Sequence, residues 1–196
     1  MTAADSLRAS LRARRRAQPQ TFREQAALAA AAALAGTSPG RNARRIAAFV
    51  AVDAELDPGP FIATAREAGR QVFLPVLGPR PGCLSFVRAE AGDRLEPNRY
   101  GIPEPRPGVT VDAQFLDLVL VPLLGFDETG NRLGMGAGYY DRTFEFRRGR
   151  RHWLGPLLIG FGYECQRIDT LPAMPWDVPL DGVVTEEGVQ MFTRRR

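Results

Sequence analysis

Residues 116–121 read Leu-Asp-Leu-Val-Leu-Val, and no other stretch narrows the fold as much. Apart from Asp117 the run is apolar at odd and even positions alike, so a strand built from it hides both of its faces. A strand covered twice needs a layer on each side of its sheet. The following residues supply the connection such a sheet uses: a glycine-rich stretch over 125–138, then a helical pattern over 139–148. Strand, loop and helix in that order are the repeating unit of a parallel sheet.

The rest of the chain alternates in the same way. Ile46 to Val52, Val72 to Leu77, Leu84 to Val87, Leu157 to Gly162 and Val183–Val184 have strand-like patterns. A helix is expected over 58–68, opened by Pro58 and Pro60 and stopped by Gly69. Residues 1–36 read as two helices. In the first, Leu7 and Leu11 form a thin apolar stripe beside Arg8, Arg12, Arg15 and Arg16. In the second, Thr21 and Glu24 have the spacing of a capping box, and Gly36 marks the stop. Residues 37–42 read as a loop, 97–108 as a crossing punctuated by proline and glycine, and 194–196 as a solvated tail. There is no internal repeat and no long inner linker, so one domain is expected over 1–196, with the helices of 1–36 packed on an α/β core.

Composition removes several kinds of chemistry. All 26 basic side chains are arginine, and the chain has no lysine. That excludes the phosphate-binding loop whose lysine reaches the β- and γ-phosphates, and any Schiff base, which needs an amine. The single histidine, His152, reads as a surface or helix-end residue and excludes a multi-histidine metal site. Cys83 and Cys165 are too few for a disulfide scaffold; they read as small apolar groups in a reducing compartment. No apolar run reaches the roughly 18 residues a membrane span needs, and no signal-like apolar segment follows the N-terminal arginines. A cytoplasmic location is expected. The net charge of +4 and pI of about 9.7 raise nucleic acid as a partner. The arginine clusters at 12–16, 147–151 and 194–196 are dispersed in sequence, so ordinary solvation is the preferred reading, and neither nucleic acid nor membrane is expected as a partner.

The chemistry concentrates in Val-Pro-Leu-Leu-Gly-Phe-Asp-Glu-Thr-Gly-Asn-Arg-Leu-Gly-Met-Gly-Ala-Gly-Tyr-Tyr-Asp-Arg, residues 121–142. It follows the best strand, and open α/β sheets bind ligands just beyond the carboxyl ends of their strands. Gly134, Gly136 and Gly138 alternate, so backbone N–H groups can approach an anion closely. Arg132 can clamp phosphate oxygens through two parallel hydrogen bonds, and Asp141 is placed to hold Mg²⁺ against them. The glycines alone are equally compatible with a tight strand-to-helix turn in which Asp141 merely stabilises the helix dipole.

At this point the chain resembles the 5-formyltetrahydrofolate cyclo-ligase family. The resemblance rests on Arg-Leu-Gly-x-Gly-x-Gly-Tyr-Tyr-Asp, preceded by Val-Pro-x-Leu-x-Phe-Asp-x-x-Gly. It extends to Leu7-Arg8 with Arg16, Ala54-Glu-Leu-Asp57, Leu74-Pro75, Tyr100-Gly-Ile-Pro-Glu-Pro105, Pro175-Trp-Asp177 and Asp181-Gly-Val-Val-Thr185. It implies a three-layer α/β/α sandwich with a mostly parallel sheet, similar to ribose-phosphate isomerase and CoA-transferase-like domains. It also implies ATP, Mg²⁺ and a reduced folate as small-molecule partners. The implied reaction turns 5-formyltetrahydrofolate into 5,10-methenyltetrahydrofolate through a phosphorylated formyl group, in a monomer or weak dimer.

By the same resemblance, Arg132, Leu133, Gly134, Met135, Gly136, Ala137, Gly138, Tyr139 and Tyr140 bind ATP, and Arg8 reaches the nucleotide from the N-terminal helix. Met135 to Tyr139 also face the folate, Glu55 holds its pterin and Tyr100 stacks on it. Asp141 and Asp177 ligate the metal, and Arg132 with Asp141 carries the chemistry. Taken alone, Glu55 reads as a solvated loop carboxylate, Asp177 and Asp181 as turn residues, and Tyr139 and Tyr140 as core. Three positions depart from the family's pattern: Ala4 where a basic residue is common, and Met135 and Ala137 inside the loop. Ala137 is strained on the order of 1 kcal/mol if its site needs positive φ. Two other functions compete: a basic nucleic-acid-binding module, and a sugar-phosphate isomerase of the same fold class in which the Tyr-Tyr-Asp pattern is idle.

Overall fold

The computed structural model describes residues 3–148 and 155–192, so His152 and the 194–196 tail lie outside the described residues. At its centre is β7 (Leu118–Pro122), whose residues 118–121 are all fully buried. Leu118 and Leu120 enter one apolar core and Val119 and Val121 the other, the period-two division that an apolar run covered on both faces requires.

Parallel neighbours flank β7 on both sides. β1 (Arg45–Ala47) and β2 (Gln71–Leu77) continue the sheet one way; β10 (Leu157–Phe161) and β11 (Gly182–Thr185) continue it the other. Antiparallel strands close the edges: β3 (Leu84–Arg88) and β6 (Thr110–Val111) beyond β2, and β12 (Gly188–Met191) beyond β11. The order is β12-β11-β10-β7-β1-β2-β3-β6. This is the mostly parallel α/β sheet expected.

One face is covered by α2 (Gln20–Ala35) and α4 (Gly59–Glu67). Ala26, Ala27, Ala30, Ala31 and Leu34 form the buried stripe of α2, and their small size lets the helix lie close to the sheet. The opposite core is roofed by α5 (Tyr139–Thr143), the ring of Phe144 and the strap carrying Val178 and Leu180. α1 (Ala3–Arg16) crosses above, burying Leu11.

Several local expectations need correction. The helix over 139–148 stops after five residues, because Phe144 leaves helical geometry and buries its ring; a 3₁₀ turn follows at Glu145–Arg147. The strand over 46–52 ends at Ala47, since the chain must turn through Asp53 and Ala54. Residues 37–42 contain a short helix, α3 (Ser38–Asn42), because the Thr37 side chain accepts from Gly40 N at 3.0 Å. The capping box of α2 does not form: the helix starts at Gln20, and Glu24 accepts instead from the Gln20 side chain at 2.7 Å. Gly36 ends α2 with right-handed geometry (φ −71°). Two small hairpins, β4 (Leu95–Pro97) with β5 (Pro103–Pro105) and β8 (Gly125–Phe126) with β9 (Arg132–Leu133), occupy stretches expected to be irregular. Asp181 is no turn residue; it is buried and accepts from Leu158 N (2.8 Å) and the Arg147 guanidinium (2.7 Å).

The β8–β9 hairpin is fixed by Asp127. Its Oδ1 accepts from Thr129 N, Thr129 Oγ1 and Asn131 N, and its Oδ2 from Asn131 Nδ2 and Leu171 N, all within 3.0 Å. Burial pushes this carboxyl up, but hydrogen bonds from Leu171, Thr129 and Asn131 outweigh it and leave it below the ordinary carboxylate range. A depressed folded-state pKa adds stability above the unfolded value of about 3.9, and that stability is lost as pH falls through the folded value. Asp127→Asn should therefore cost about 2–4 kcal/mol at pH 7 in urea unfolding, and the deficit should shrink below about pH 4.

Candidate active site

The carboxyl ends of β1, β7 and β10 open on one edge of the sheet, so the segments following them meet there. The β8–β9 hairpin comes after β7 and delivers the chain into Gly134–Gly138. Gly136 (φ +100°) and Gly138 (φ +65°) take left-handed geometry that side chains disfavour. Ala137 does not have positive φ, so the feared strain at this position is absent. None of the backbone N–H groups of Gly134 to Gly138 is used by another backbone carbonyl among the described residues. Met135, Gly136 and Ala137 are exposed, leaving the loop open to a ligand.

Cationic groups stand around it. Arg8 on α1 donates through Nε to Gly134 O at 3.2 Å and lies over Gly136. At the base of the loop, Arg132 Nη2 meets Asp141 Oδ1 at 2.6 Å, with Arg132 nearly buried and Asp141 partly open. Arg132 Nη1 also donates to Val178 O, and Val178 N donates to the same Asp141 oxygen at 3.1 Å. Arg132, Asp141 and the Asp177–Val178 strap thus form one unit. Asp177 Oδ2 accepts from Met174 N at 2.8 Å, the turn role that its sequence context also allowed.

Asp141 Oδ2 and Asp177 Oδ1 accept no hydrogen bond among the described residues. Nor do the described residues contain a group of three or more His, Cys, Asp or Glu able to hold a metal alone. Two carboxylates on adjoining segments do fit Mg²⁺, which takes one or two protein carboxylates and completes its shell with phosphate oxygens and water.

Glu55 sits on the turn after β1. Asp53 (φ +52°) and Ala54 (φ +59°) both adopt left-handed geometry, costing roughly 1–2 kcal/mol each. This turns Glu55 inward, where Oε2 accepts from Val52 N at 3.1 Å and Oε1 lies 3.5 Å from Arg15. Burial raises the Glu55 carboxyl against the opposing pulls of Val52 N and Arg15. Glu55 in turn acts on Tyr140: burial first, then the Glu55 charge, raise the phenol, while Arg132 lowers it. The Tyr140 ring stacks on Phe144, 6.3 Å between centroids. A cavity of about 830 Å³ opens beside this turn, between α2 and α4, with Glu55, Phe49, Ile62 and Leu74 in its walls; the glycine loop is not part of that lining.

Tyr100 and Tyr139, distant in sequence, meet. Their hydroxyls are 3.1 Å apart, their rings pack edge to face, and Arg99 donates to Tyr139 Oη at 2.8 Å. Tyr100 is 55% exposed, with the Arg99 guanidinium over its ring 5.0 Å from the centroid.

A model of the family described as the 5-formyltetrahydrofolate cyclo-ligase family matches residues 1–186. The chain belongs to the 5-formyltetrahydrofolate cyclo-ligase family. Its relatives in that family are ligases. It is 37% identical over 182 residues to the 5-formyltetrahydrofolate cyclo-ligase of Escherichia coli K12, covering 91% of this chain and 98% of that one. It is 33% identical over 193 residues to the enzyme of the same name from Mycolicibacterium smegmatis, covering 91% of each. The NMR structure of Aquifex aeolicus 5,10-methenyltetrahydrofolate synthetase superposes with a TM-score of 0.83 at 26% identity, covering all of this chain and 95% of that one.

Four arginines of this cyclo-ligase-family site were given no role by the sequence motifs. Arg12 reaches both Met135 Sδ (3.4 Å) and Asp53 (3.2 Å); Arg15 lies between Asp53 and Glu55; Arg99 holds Tyr139. Arg142 donates to Gly82 O at 2.9 Å and to Ala137 O, stapling the glycine loop to the β2–β3 hairpin. Gly82 and Gly138 leave room for it, since a Cβ on either would come within 2.9 Å of the guanidinium. The available signal for two of them was the spacing of Arg8, Arg12 and Arg15, which places three arginines on one helical face.

The Tyr139 phenol is lowered by its hydrogen bond with Tyr100 first and by Arg99 second. Tyr100→Phe should move the Tyr139 titration midpoint, followed by NMR of ring-labelled tyrosine, upward toward about 10. An unchanged midpoint would mean the two hydroxyls do not interact in solution.

Proposed function

We propose that this protein is an ATP-dependent 5-formyltetrahydrofolate cyclo-ligase: MgATP and 5-formyltetrahydrofolate give 5,10-methenyltetrahydrofolate, ADP and phosphate. The observation that carries the reading is the convergence of Arg8, the unspent N–H groups of Gly134–Gly138 and the Arg132–Asp141 pair on one loop. Together they form an anion cradle beside a buried carboxylate and an exposed aromatic.

The formyl oxygen is a poor leaving group until it is phosphorylated. It attacks the γ-phosphorus and ADP departs; N10 then attacks the activated formyl carbon, loses its proton and expels inorganic phosphate. Such a loose transfer demands alignment and charge neutralisation more than a protein nucleophile, which suits a chain without lysine. Arg8 and the loop N–H groups bind the triphosphate, and Arg132 neutralises charge where it develops. Asp141 and Asp177 would hold Mg²⁺, which would supply positive charge to screen the phosphate. Glu55 accepts hydrogen bonds from the pterin N–H groups, and Tyr100 with Tyr139 orients the ring above Met135–Ala137. The cavity beside Glu55, lined by both apolar and charged side chains, supports a folate-sized ligand entering from that side. The protein acts on small molecules as one folding unit, a monomer or weak dimer, in the cytoplasm; no helix among the described residues is long and apolar enough to cross a membrane.

Mixing the protein with MgATP and 5-formyltetrahydrofolate should produce the absorption band of the methenyl product. Arg132→Ala and Asp141→Asn should each lower kcat about 10²–10³-fold while shifting Tm by only a few degrees. Folded wild-type protein that forms no product at high concentration overturns the assignment. Unfolding of both variants would make the pair a strut instead.

A further inference from the structure

The most deeply buried charged side chain of the molecule is absent from the phosphate cradle. Arg15, near the end of α1, is 0% exposed, and among the fully buried side chains it leads in size. Its Nη2 lies 2.9 Å from Asp53 Oδ2, its Nη1 3.5 Å from Glu55 Oε1, and Nη1 also reaches Leu123 O at 3.5 Å. A buried guanidinium is costly unless its partners are fixed, and here they belong to two other walls of the site: the 53–55 turn and the segment just after β7. Its Nε is buried with no hydrogen-bond partner among the described residues, so Arg15 is not placed for hydrogen bonding alone.

We propose that Arg15 is a positioning residue, which clamps the strained Asp53–Ala54 turn and aims the Glu55 carboxylate at the pterin of a reduced folate. This rests on the folate-ligase reading and adds to it a residue that touches neither substrate. The turn has two consecutive left-handed residues without glycine, and such geometry persists only where its surroundings enforce it. Arg12 and Arg16 also bind Asp53, but only Arg15 bridges Asp53 to Glu55. The groups acting on Glu55 are Arg15 from α1, Asp53 and Val52 N from its own turn, and Tyr140 from α5, on which the Arg132 charge also acts. Tyr163, which feels Arg23 of α2, donates to the Glu55 backbone carbonyl at 3.4 Å. Among these Arg15 is the cation within ion-pair distance of Glu55, and with the Val52 hydrogen bond its charge favours the accepting, ionised carboxylate against burial.

The experiment compares wild type, Glu55→Gln, Arg15→Gln and Arg15→Lys. Arg15→Gln should raise KM for 5-formyltetrahydrofolate at least tenfold, leave KM for MgATP within about twofold, and move the acidic limb of kcat/KM for the folate to higher pH. Because Arg15→Gln removes the cation paired with the buried Glu55 carboxylate and can unfold, Arg15→Lys is the deciding variant. It keeps the charge, but a single ammonium cannot span Asp53 and Glu55 as a fork does. It should fold, raise the folate KM about threefold without changing that for MgATP, and keep the wild-type acidic limb. A wild-type folate KM in Arg15→Lys, or equal rises for both substrates, overturns the proposal. Failure of the wild type to convert the folate defeats the parent reading instead. An active wild type with an unaltered folate KM in Glu55→Gln removes the Glu55 contact, and the role of Arg15 with it.

Discussion

Burial of β7 on both faces organises this molecule. A strand with no solvent-facing side can be accommodated only at the middle of a layered sheet, and β7 has parallel partners on either edge. Its direction then decides where chemistry can occur, because the chain leaves it at the edge where β1 and β10 also end. The Asp127 network converts that exit into a fixed hairpin, so the glycine loop begins from a rigid base. Arg8 of α1 and the Arg132–Asp141 pair, from well-separated stretches, meet on the glycine loop for this reason.

Arginine does the work that other chains share with lysine. A guanidinium binds several oxygens in fixed directions, whereas an ammonium is a mobile point charge. α1 illustrates the consequence. It buries only one leucine deeply, and is tied down by Arg8 on Gly134 O and by Arg12, Arg15 and Arg16 on Asp53. One helix therefore touches the glycine loop and the Asp53–Glu55 turn together, two turns apart. Arg142 uses the same property to join the glycine loop to the β2–β3 hairpin.

The sheet was readable from the sequence because burial on one or both faces leaves a period in the residues themselves. Val119 against Leu120 and the alanine stripe of α2 are such traces. The helix over 139–148 was overestimated, since helical spacing cannot reveal that Phe144 would rather fill the core than continue the turn. The structure brings Arg132, Gly134–Gly138 and Asp141 of the loop motif together, with Arg8 and Tyr100, which the family resemblance added, beside them. Asp53 and Arg15 were hidden for a physical reason. Their role depends on a left-handed turn without glycine, and nothing in Asp53-Ala54 announces that geometry; it exists because arginines from another element enforce it.

The Arg132–Asp141 pair bears on how such a site can wait for its ligands. Each group satisfies the other, and Val178 binds both through its carbonyl and N–H, so neither charge is left stranded in a half-buried loop. Pairing lowers the cost of holding both charges there. It leaves Asp141 Oδ2 without a hydrogen-bond donor among the described residues. In the proposed reaction a metal would engage that oxygen without first breaking the pair. The resting ion pair is then compatible with catalysis rather than opposed to it, and preorganisation of the cradle follows from the interactions that stabilise the empty loop.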